Sequence, residues 1–387
     1  MDEKEYLQTL GEQIVNPHAR ASVLAEIQDH IEEQAQDYRA SGMSEAVAMQ
    51  EAVRQMGDPV STGEALNQVH RPKFPIALFG LAVVLTVLGI AMQYLVYTHL
   101  TPDTAILSDT YLQRTILYNA IGLGLLLLCI FGNYMYLAKG AWILLAIFLL
   151  GLLPPWFFGF YGRQYTLCYY LALVYPLVYA LLLYRLRDKG AKAIWFLHGL
   201  TLLFLVRMLF GTIITWSTVL AAGCLTLLLL CLAIHRGILT GSSKRTLWLL
   251  TVLPYVAAAA CFVILFFQNS YMRDRLTEFL KGSGYVQQML ALEQQQMLAF
   301  GGGTISSYVD TESLASTYVL HSIFLWFGIV SGILVIVALA VLVLRSLHYA
   351  LHQSNRLALL AGTAASGILL FELLHFVLTN LGCSPVY

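Results

Sequence analysis

Apolar residues run in nine long stretches through most of the chain after residue 75, with more polar segments between them. Each stretch holds about 20 residues, the number that an α-helix needs to cross the hydrocarbon core of a bilayer. The pattern predicts an all-α fold, that of a polytopic helical membrane protein with nine spans. The predicted spans cover residues 75–97, 116–137, 141–160, 166–184, 194–211, 214–234, 247–267, 317–344 and 357–380.

The first 70 residues, called the head below, follow another pattern, in which single apolar residues return every three or four positions among charged ones. This spacing predicts short amphipathic helices. The longest has its apolar face at Val23, Ile27, Ile31 and Ala35. Ser44 is a suitable N-cap for a further helix over Glu45–Met56. We predict a small helical domain over residues 1–70 and a transmembrane domain over 75–387.

Composition supports the membrane interpretation. Hydrophobic residues make up 58% of the chain and charged residues 11%, whereas soluble domains carry about 25% charged residues. Thirteen of the 22 acidic residues lie before residue 75, so the head is acidic and the membrane part has few carboxylates. Because the net charge is zero and no basic face is evident, we expect no nucleic-acid partner.

The loops between the predicted spans differ in their Lys and Arg content. Ten of these residues lie on the side that carries the head, and five lie on the other side. Cytoplasmic loops are the ones enriched in Lys and Arg, so we predict a cytoplasmic N-terminus. No apolar run in the head resembles the core of a signal peptide, so we expect the head to remain uncleaved.

One long loop, residues 268–316, lies on the side opposite to the head. Long loops in compact proteins are usually functional or disordered. Two of its segments, Arg273–Leu280 and Tyr285–Phe300, have the spacing of amphipathic helices, and a run of three glycines, Gly301–Gly303, follows them. The glycine run is not a phosphate-binding loop, because no strand precedes it and no Lys with Ser or Thr follows it.

Two charged residues, Arg207 and Glu372, lie inside predicted spans. Counted at about 1.5 Å per residue, they lie roughly 20 and 22 Å from the inner ends of their helices, so their depths match. An unpaired charge in hydrocarbon is costly. We predict that the two are ion-pair partners; the alternative is that each side chain reaches separately to the outer interface.

The sequence shows no metal site. The six cysteines lie in or beside apolar runs without the close pairing of a zinc site or a disulfide framework. His30 has acidic neighbours, but no second His or Cys follows it at ligand spacing. We interpret the cysteines as small hydrophobic residues and His30 as part of a solvated helix face.

The head resembles the HAAS, or permease-prefix, domain of Firmicute membrane proteins. The residues that carry the resemblance are Glu26, Asp29, His30, Ile31, Glu32, Gly42, Met43, Ser44, Glu45, Ala46, Ala52, Val53, Met56, Gly57, Asp58 and Pro59. They extend over nearly the whole head. This domain precedes several kinds of membrane body, so the resemblance marks a module rather than a chemistry.

The membrane part is similar to the FtsW/RodA/SpoVE (SEDS) family. The similarity lies in the long loop, at Arg273, Asp274, Arg275, Leu276, Phe279, Leu280, Gly282, Ser283, Gly284, Tyr285 and Gly301–Gly303. Weaker matches are Gly162 and Arg163, Phe327 and Gly328, and Gly382 and Pro385. Family members have ten spans with both ends cytoplasmic, whereas this chain ends at Tyr387, where the family continues through a tenth span.

The resemblance implies a place in envelope biogenesis, in cell division, cell shape or sporulation, in the bacterial cytoplasmic membrane. Members polymerise the undecaprenyl-linked peptidoglycan precursor, commonly with a class B penicillin-binding protein as partner and a divalent cation. Their proposed general base is an Asp shortly before the eighth span, and its position here is Thr317. The nearest carboxylates are Asp310 and Glu312, which are catalytic candidates only if the loop folds differently from that of the family.

The basic residues of the outer face are the candidate substrate ligands. Arg163, Arg273, Arg275 and Lys281 could meet the pyrophosphate of a lipid-linked precursor, since guanidinium groups match phosphate oxygens. Basic residues at span ends also anchor to membrane lipid phosphates. His321 lies one turn beyond Thr317 and could face the same cavity, although a structural histidine is the alternative.

Two functions follow from these features. The first is glycosyl transfer from the lipid-linked precursor on the outer face. The second is a catalytically degenerate member that binds the precursor or a partner protein as a regulator or scaffold. We predict weak or absent polymerase activity, because general acid/base groups contribute about 100- to 10,000-fold and Thr317 cannot supply one. A transporter would show polar or interrupted helices near the midplane, and such signals are sparse.

Overall fold

The computed structural model describes residues 2–14, 17–70, 75–100, 109–132, 135–153, 164–209, 216–302 and 317–383. Within these ranges every regular element is a helix and no strand occurs, which confirms the all-α prediction. The chain divides into two compact units, Met1–Ile76 and Ala77–Tyr387.

In its described part the head contains four helices: α1 Glu3–Gln13, α2 Pro17–Ala40, α3 Glu45–Gln55 and α4 Pro59–His70. As predicted, Val23, Ile31 and Ala35 of α2 are buried, and Ile27 packs against the same core. Asp58 caps α4, with its Oδ2 accepting from the Ser61 amide at 2.8 Å, and a proline at the first helical position suits this start.

The membrane unit contains thirteen helices in its described part. They are α5 Ile76–Leu100, α6 Asp109–Phe131, α7 Met135–Lys139, α8 Ala141–Gly151, α9 Gln164–Arg185, α10 Ala191–Leu209, α11 Trp216–His235, α12 Lys244–Gln268, α13 Ser270–Leu280, α14 Tyr285–Gln294, α15 Val319–Phe327, α16 Ile329–Leu351 and α17 Arg356–Asn380.

The number of spans differs from the prediction. Among the described residues seven helices, not nine, are long and apolar enough to cross a membrane, consistent with a multi-pass membrane protein. They are α5, α6, α10, α11, α12, α16 and α17. The predicted third and fourth spans correspond to shorter apolar helices, Ala141–Gly151 and Tyr169–Arg185, and residues 154–163 between them lie outside the described part.

The predicted eighth span, residues 317–344, does not form one continuous helix, so this prediction is wrong. It is divided at Gly328 into α15 and α16, and α16 continues to Leu351. Gly328 has φ 88° and ψ 169°, a conformation open essentially to glycine alone. The hydropathy pattern does not indicate this break, because the residues on both sides of Gly328 are apolar.

The core of the bundle lies between α8, α9, α10, α11 and α17. Two glycines allow close packing. A Cβ at Gly367 of α17 would overlap Leu225 of α11, and a Cβ at Gly332 of α16 would overlap the Phe324 ring of α15. The rings of Tyr175 and Phe204 stack at 4.4 Å between α9 and α10. Small residues therefore set the distances between helices, as is common in membrane bundles.

The two ends of the bundle carry different loops. At one end, Arg187 O accepts from the Thr240 amide at 2.9 Å, and Arg236 Nη2 donates to Leu351 O at 3.2 Å. The other end, called the α14 end below, carries α13 and α14. It therefore holds the described part of the predicted outer loop.

Candidate functional site

A carboxylate and an imidazole are buried together at the α14 end. Glu293 Oε2 lies 2.8 Å from His321 Nε2, and neither side chain has any exposed surface. Glu293 belongs to α14, in the long loop, and His321 belongs to α15. The pair therefore joins the loop to the helices of the membrane bundle.

Asn380, the last residue of α17, completes the cluster. Its Oδ1 accepts from the backbone amide of His321 at 2.9 Å. Its Nδ2 donates to Thr317 O at 3.0 Å and to Phe376 O at 2.8 Å. Because Asn380 is fully buried, its amide uses both ends to fix the start of α15 against the end of α17.

Backbone contacts close the loop over this cluster. The amides of Ile329 and Val330 donate to Leu298 O at 2.9 Å and to Ala299 O at 3.3 Å. Gln294 Nε2 donates to Leu381 O at 3.2 Å. The segment after α14 is thus hydrogen-bonded to the first turn of α16 and to the end of α17.

Two atoms of the pair have no hydrogen-bond partner. Glu293 Oε1 and His321 Nδ1 are buried and unpaired. Buried polar atoms in proteins usually bind other groups or ordered water. The complete burial of the pair keeps it from contact with a substrate.

The predicted catalytic residues lie mostly outside the described part. Residues 303–316, which include Asp310 and Glu312, are not described, and neither is Arg163. Thr317 is described: its side chain is exposed, and its carbonyl accepts from Asn380. Thr317, the position that the resemblance aligns with the family's Asp, therefore lies beside the buried cluster.

The other predicted ligands lie on α13 and in the turn after it. Arg273 and Lys281 are exposed, and Arg275 is partly exposed. The predicted helix over Arg273–Leu280 is confirmed as part of α13, and Tyr285–Phe300 forms the shorter helix α14. Leu280 at the end of α13 is 74% exposed, so basic, acidic and apolar groups occur together on this helix.

The predicted ion pair between Arg207 and Glu372 is wrong. Glu372 Oε2 accepts from the Tyr169 hydroxyl at 2.7 Å, and Arg207 Nε donates to Leu152 O at 2.8 Å. Matching depths did not fix which helices are neighbours: α17 packs against α9, α11 and α16, whereas α10 packs against α9 and α12.

The divalent cation that the SEDS resemblance implies stays a prediction, because the candidate carboxylates Asp310 and Glu312 lie outside the described residues. The described residues contain no group of three or more His, Cys, Asp or Glu side chains that could hold a metal ion. The buried pair supplies one carboxylate and one imidazole, and they bind each other.

Glu293 and Asn380 were not predicted as site residues. Glu293 continues the apolar spacing of Val286 and Leu290 and is the sole charged residue of α14. A lone carboxylate on an apolar helix face signals a buried partner. That signal is present in the sequence, but the identity of the partner is not.

The comparisons with known proteins concern the head. No curated protein and no solved structure matches the chain. No match to the SEDS family covers the membrane unit, so that resemblance stays a hypothesis. Residues 5–61 match the family described as HAAS, and the head is therefore similar to a HAAS domain.

Proposed function

We propose that the protein binds the undecaprenyl-linked peptidoglycan precursor at its α14 end, as a regulator or scaffold of envelope biogenesis in cell division, cell shape or sporulation. The observation that carries this proposal is the state of Thr317. Its side chain is neutral and exposed, and its backbone carbonyl is occupied by Asn380. The position at which the family has its general base offers no proton acceptor.

The neighbouring groups do not replace that base. Glu293 and His321 are the nearest acid and base in the described cluster, and both are completely buried against each other. A general base must come within about 3 Å of the proton that it removes. Binding without group transfer is thus the function that the described geometry supports.

The binding surface is α13 with the turn after it. Arg273 and Lys281 are exposed there, and guanidinium and ammonium groups bind phosphate oxygens. The exposed Leu280 lies beside Lys281. A helix with basic and apolar groups suits the membrane interface, where the pyrophosphate of a lipid-linked precursor lies. A class B penicillin-binding protein is the proposed protein partner.

Binding can be measured with the full-length protein in lipid nanodiscs. We expect the double variant Arg273→Gln, Lys281→Gln to bind the precursor about tenfold more weakly, since each exposed ion pair is worth up to about 1 kcal/mol and a tenfold change in Kd is about 1.4 kcal/mol. The matched control is Lys244→Gln, Arg245→Gln, which removes two charges at the start of α12. Equal losses in both variants would contradict a site on α13.

A glycan-polymerisation assay tests the regulatory part of the proposal. We expect no chain formation by the native protein. Robust native activity that is lost in Asp310→Asn or Glu312→Gln would contradict the scaffold proposal and would indicate an active polymerase. Activity that appears only in Thr317→Asp would support retained precursor binding without the base.

A further inference from the structure

A line of polar residues occupies one face of α17 in the half nearest the α14 end. Glu372, His375 and Thr379 follow each other at spacings of three and four, so they lie on the same helix face. They extend over about 10 Å along the axis. Asn380, which binds His321, comes directly after them.

The deepest member of this line is a carboxylate with one free oxygen. Glu372 lies about 12 Å from the end of α17, within the hydrocarbon part of the helix. The Tyr169 hydroxyl donates to Oε2 at 2.7 Å, whereas Oε1 is buried without a partner. A charged carboxylate oxygen at this depth requires a hydrogen-bond donor such as a water molecule, or the loss of its charge by protonation.

Buried polar atoms without a hydrogen-bond partner also occur nearer the α14 end of the bundle. Thr379 is buried, and its Oγ1 has no partner. Beyond it, His321 Nδ1 and Glu293 Oε1 are also unpaired and buried. Four unpaired polar atoms thus lie between the depth of Glu372 and the α14 end. Ordered water is the usual partner of such atoms.

Among the described residues, few other titratable groups lie near Glu372. From α9, Tyr169 faces it; from its own helix, His375 lies one turn away and stacks on Phe371 at 5.8 Å. On α11 the group at a similar depth is Cys224, which is exposed. The titratable residues of α16, such as Arg345 and His348, lie in its other half.

We propose that Glu372 is a proton-binding site, reached from the α14 end through a hydrated column formed by His375, Thr379 and the Glu293–His321 pair. Water bridges the four unpaired atoms, and a proton that enters at the pair can add to the free oxygen of Glu372. The charge pattern of the loops assigns this end to the outer side of the membrane. The proton site does not require precursor binding.

Cysteine accessibility tests the hydrated column. Single cysteines at His375 and Thr379 are compared with cysteines at Leu374 and Leu378, whose side chains are 53% and 45% exposed on the surface of the bundle. In a variant whose native cysteines are replaced by serine, we expect a charged, water-soluble thiol reagent to modify positions 375 and 379 at least about tenfold faster, since thiolates form in water. Equal rates, or no reaction at 375 and 379, would overturn the column.

A hydrophobic carbodiimide tests the proton site, because it modifies protonated carboxyl groups within the bilayer. We expect labelling of the native protein in nanodiscs to fall as the pH rises, to be lost in Glu372→Gln and to be retained in Glu372→Asp. Labelling that persists in Glu372→Gln, or is absent from the native protein, would overturn the assignment. Thermal unfolding of Glu372→Gln separates loss of the site from loss of the fold.

Discussion

The Glu293–His321 pair at the α14 end is completely buried. Each group leaves water completely, and the cost of this desolvation offsets much of the attraction within a buried pair. The hydrogen bonds of Asn380 to His321 and Thr317 hold the surrounding backbone in place. The pair therefore specifies how the loop packs more than it adds net stability.

Replacing one residue of the Glu293–His321 pair should destabilise the protein more than replacing both, because the remaining group stays buried without its partner. We expect Glu293→Ala or His321→Ala to lower the free energy of unfolding by about 3–5 kcal/mol, because each leaves an uncompensated buried polar group. The double variant should lose much less than the sum of the two. Denaturant or thermal unfolding in detergent measures the effect.

An exposed carboxylate provides the control for this cycle. Glu278→Ala on α13 should change stability by no more than about 0.5 kcal/mol, since Glu278 is exposed. Strictly additive losses from Glu293→Ala and His321→Ala would show that the two side chains do not act as a pair.

At the scale of elements, the break between α15 and α16 determines where the loop can bind. Gly328 brings its backbone against the loop, and a Cβ there would lie 2.6 Å from Ala299 O. The turn exposes the amides of Ile329 and Val330, which then donate to Leu298 O and Ala299 O. An uninterrupted helix would use both amides internally.

We expect Gly328→Ala to destabilise the protein by at least about 1–3 kcal/mol, because alanine meets backbone strain there as well as overlap with Ala299 O. The matched control is Gly237→Ala, where φ is 63° but nothing lies within 4 Å of the added Cβ. Thermal unfolding compares the two variants. Equal losses of stability in the two variants would show that the close contact of Gly328 with Ala299 does not contribute to stability.

At the scale of the whole molecule, basic residues are concentrated in the loops at one end of the bundle. Backbone and side-chain contacts bring the loops with Arg187, Arg236 and Thr240 to the same end. By the positive-inside rule we predict that this end faces the cytoplasm. On that prediction the α14 end faces outward, which is the side that both proposed sites require.

Cysteine labelling in intact cells tests this orientation. A cysteine at Ser283 should react with an impermeant thiol reagent, and a cysteine at Ser61 should react only after the membrane is opened. Both serines are exposed, so a difference reports the side of the membrane rather than burial. The reverse result would contradict the predicted topology and would reverse the direction of the proton column.

The sequence by itself determined the features that depend on local pattern. The spacing of Val23, Ile31 and Ala35 was sufficient for the buried face of α2, and apolar length was sufficient for seven helices able to span a membrane. The residues of the head likewise carried a resemblance that the match over 5–61 supports. Such features depend on neighbours three or four positions apart.

Tertiary structure alone decided which distant residues meet. Glu293 and His321 are 28 positions apart and Tyr169 and Glu372 are 203 apart, and neither pairing can be read from helix depth. The break at Gly328 was equally hidden, because apolar residues flank it and the reason for it is the approach of Ala299. The rotation of each helix about its axis determines which of its residues face a neighbouring helix. Close packing at positions such as Gly367 fixes that rotation.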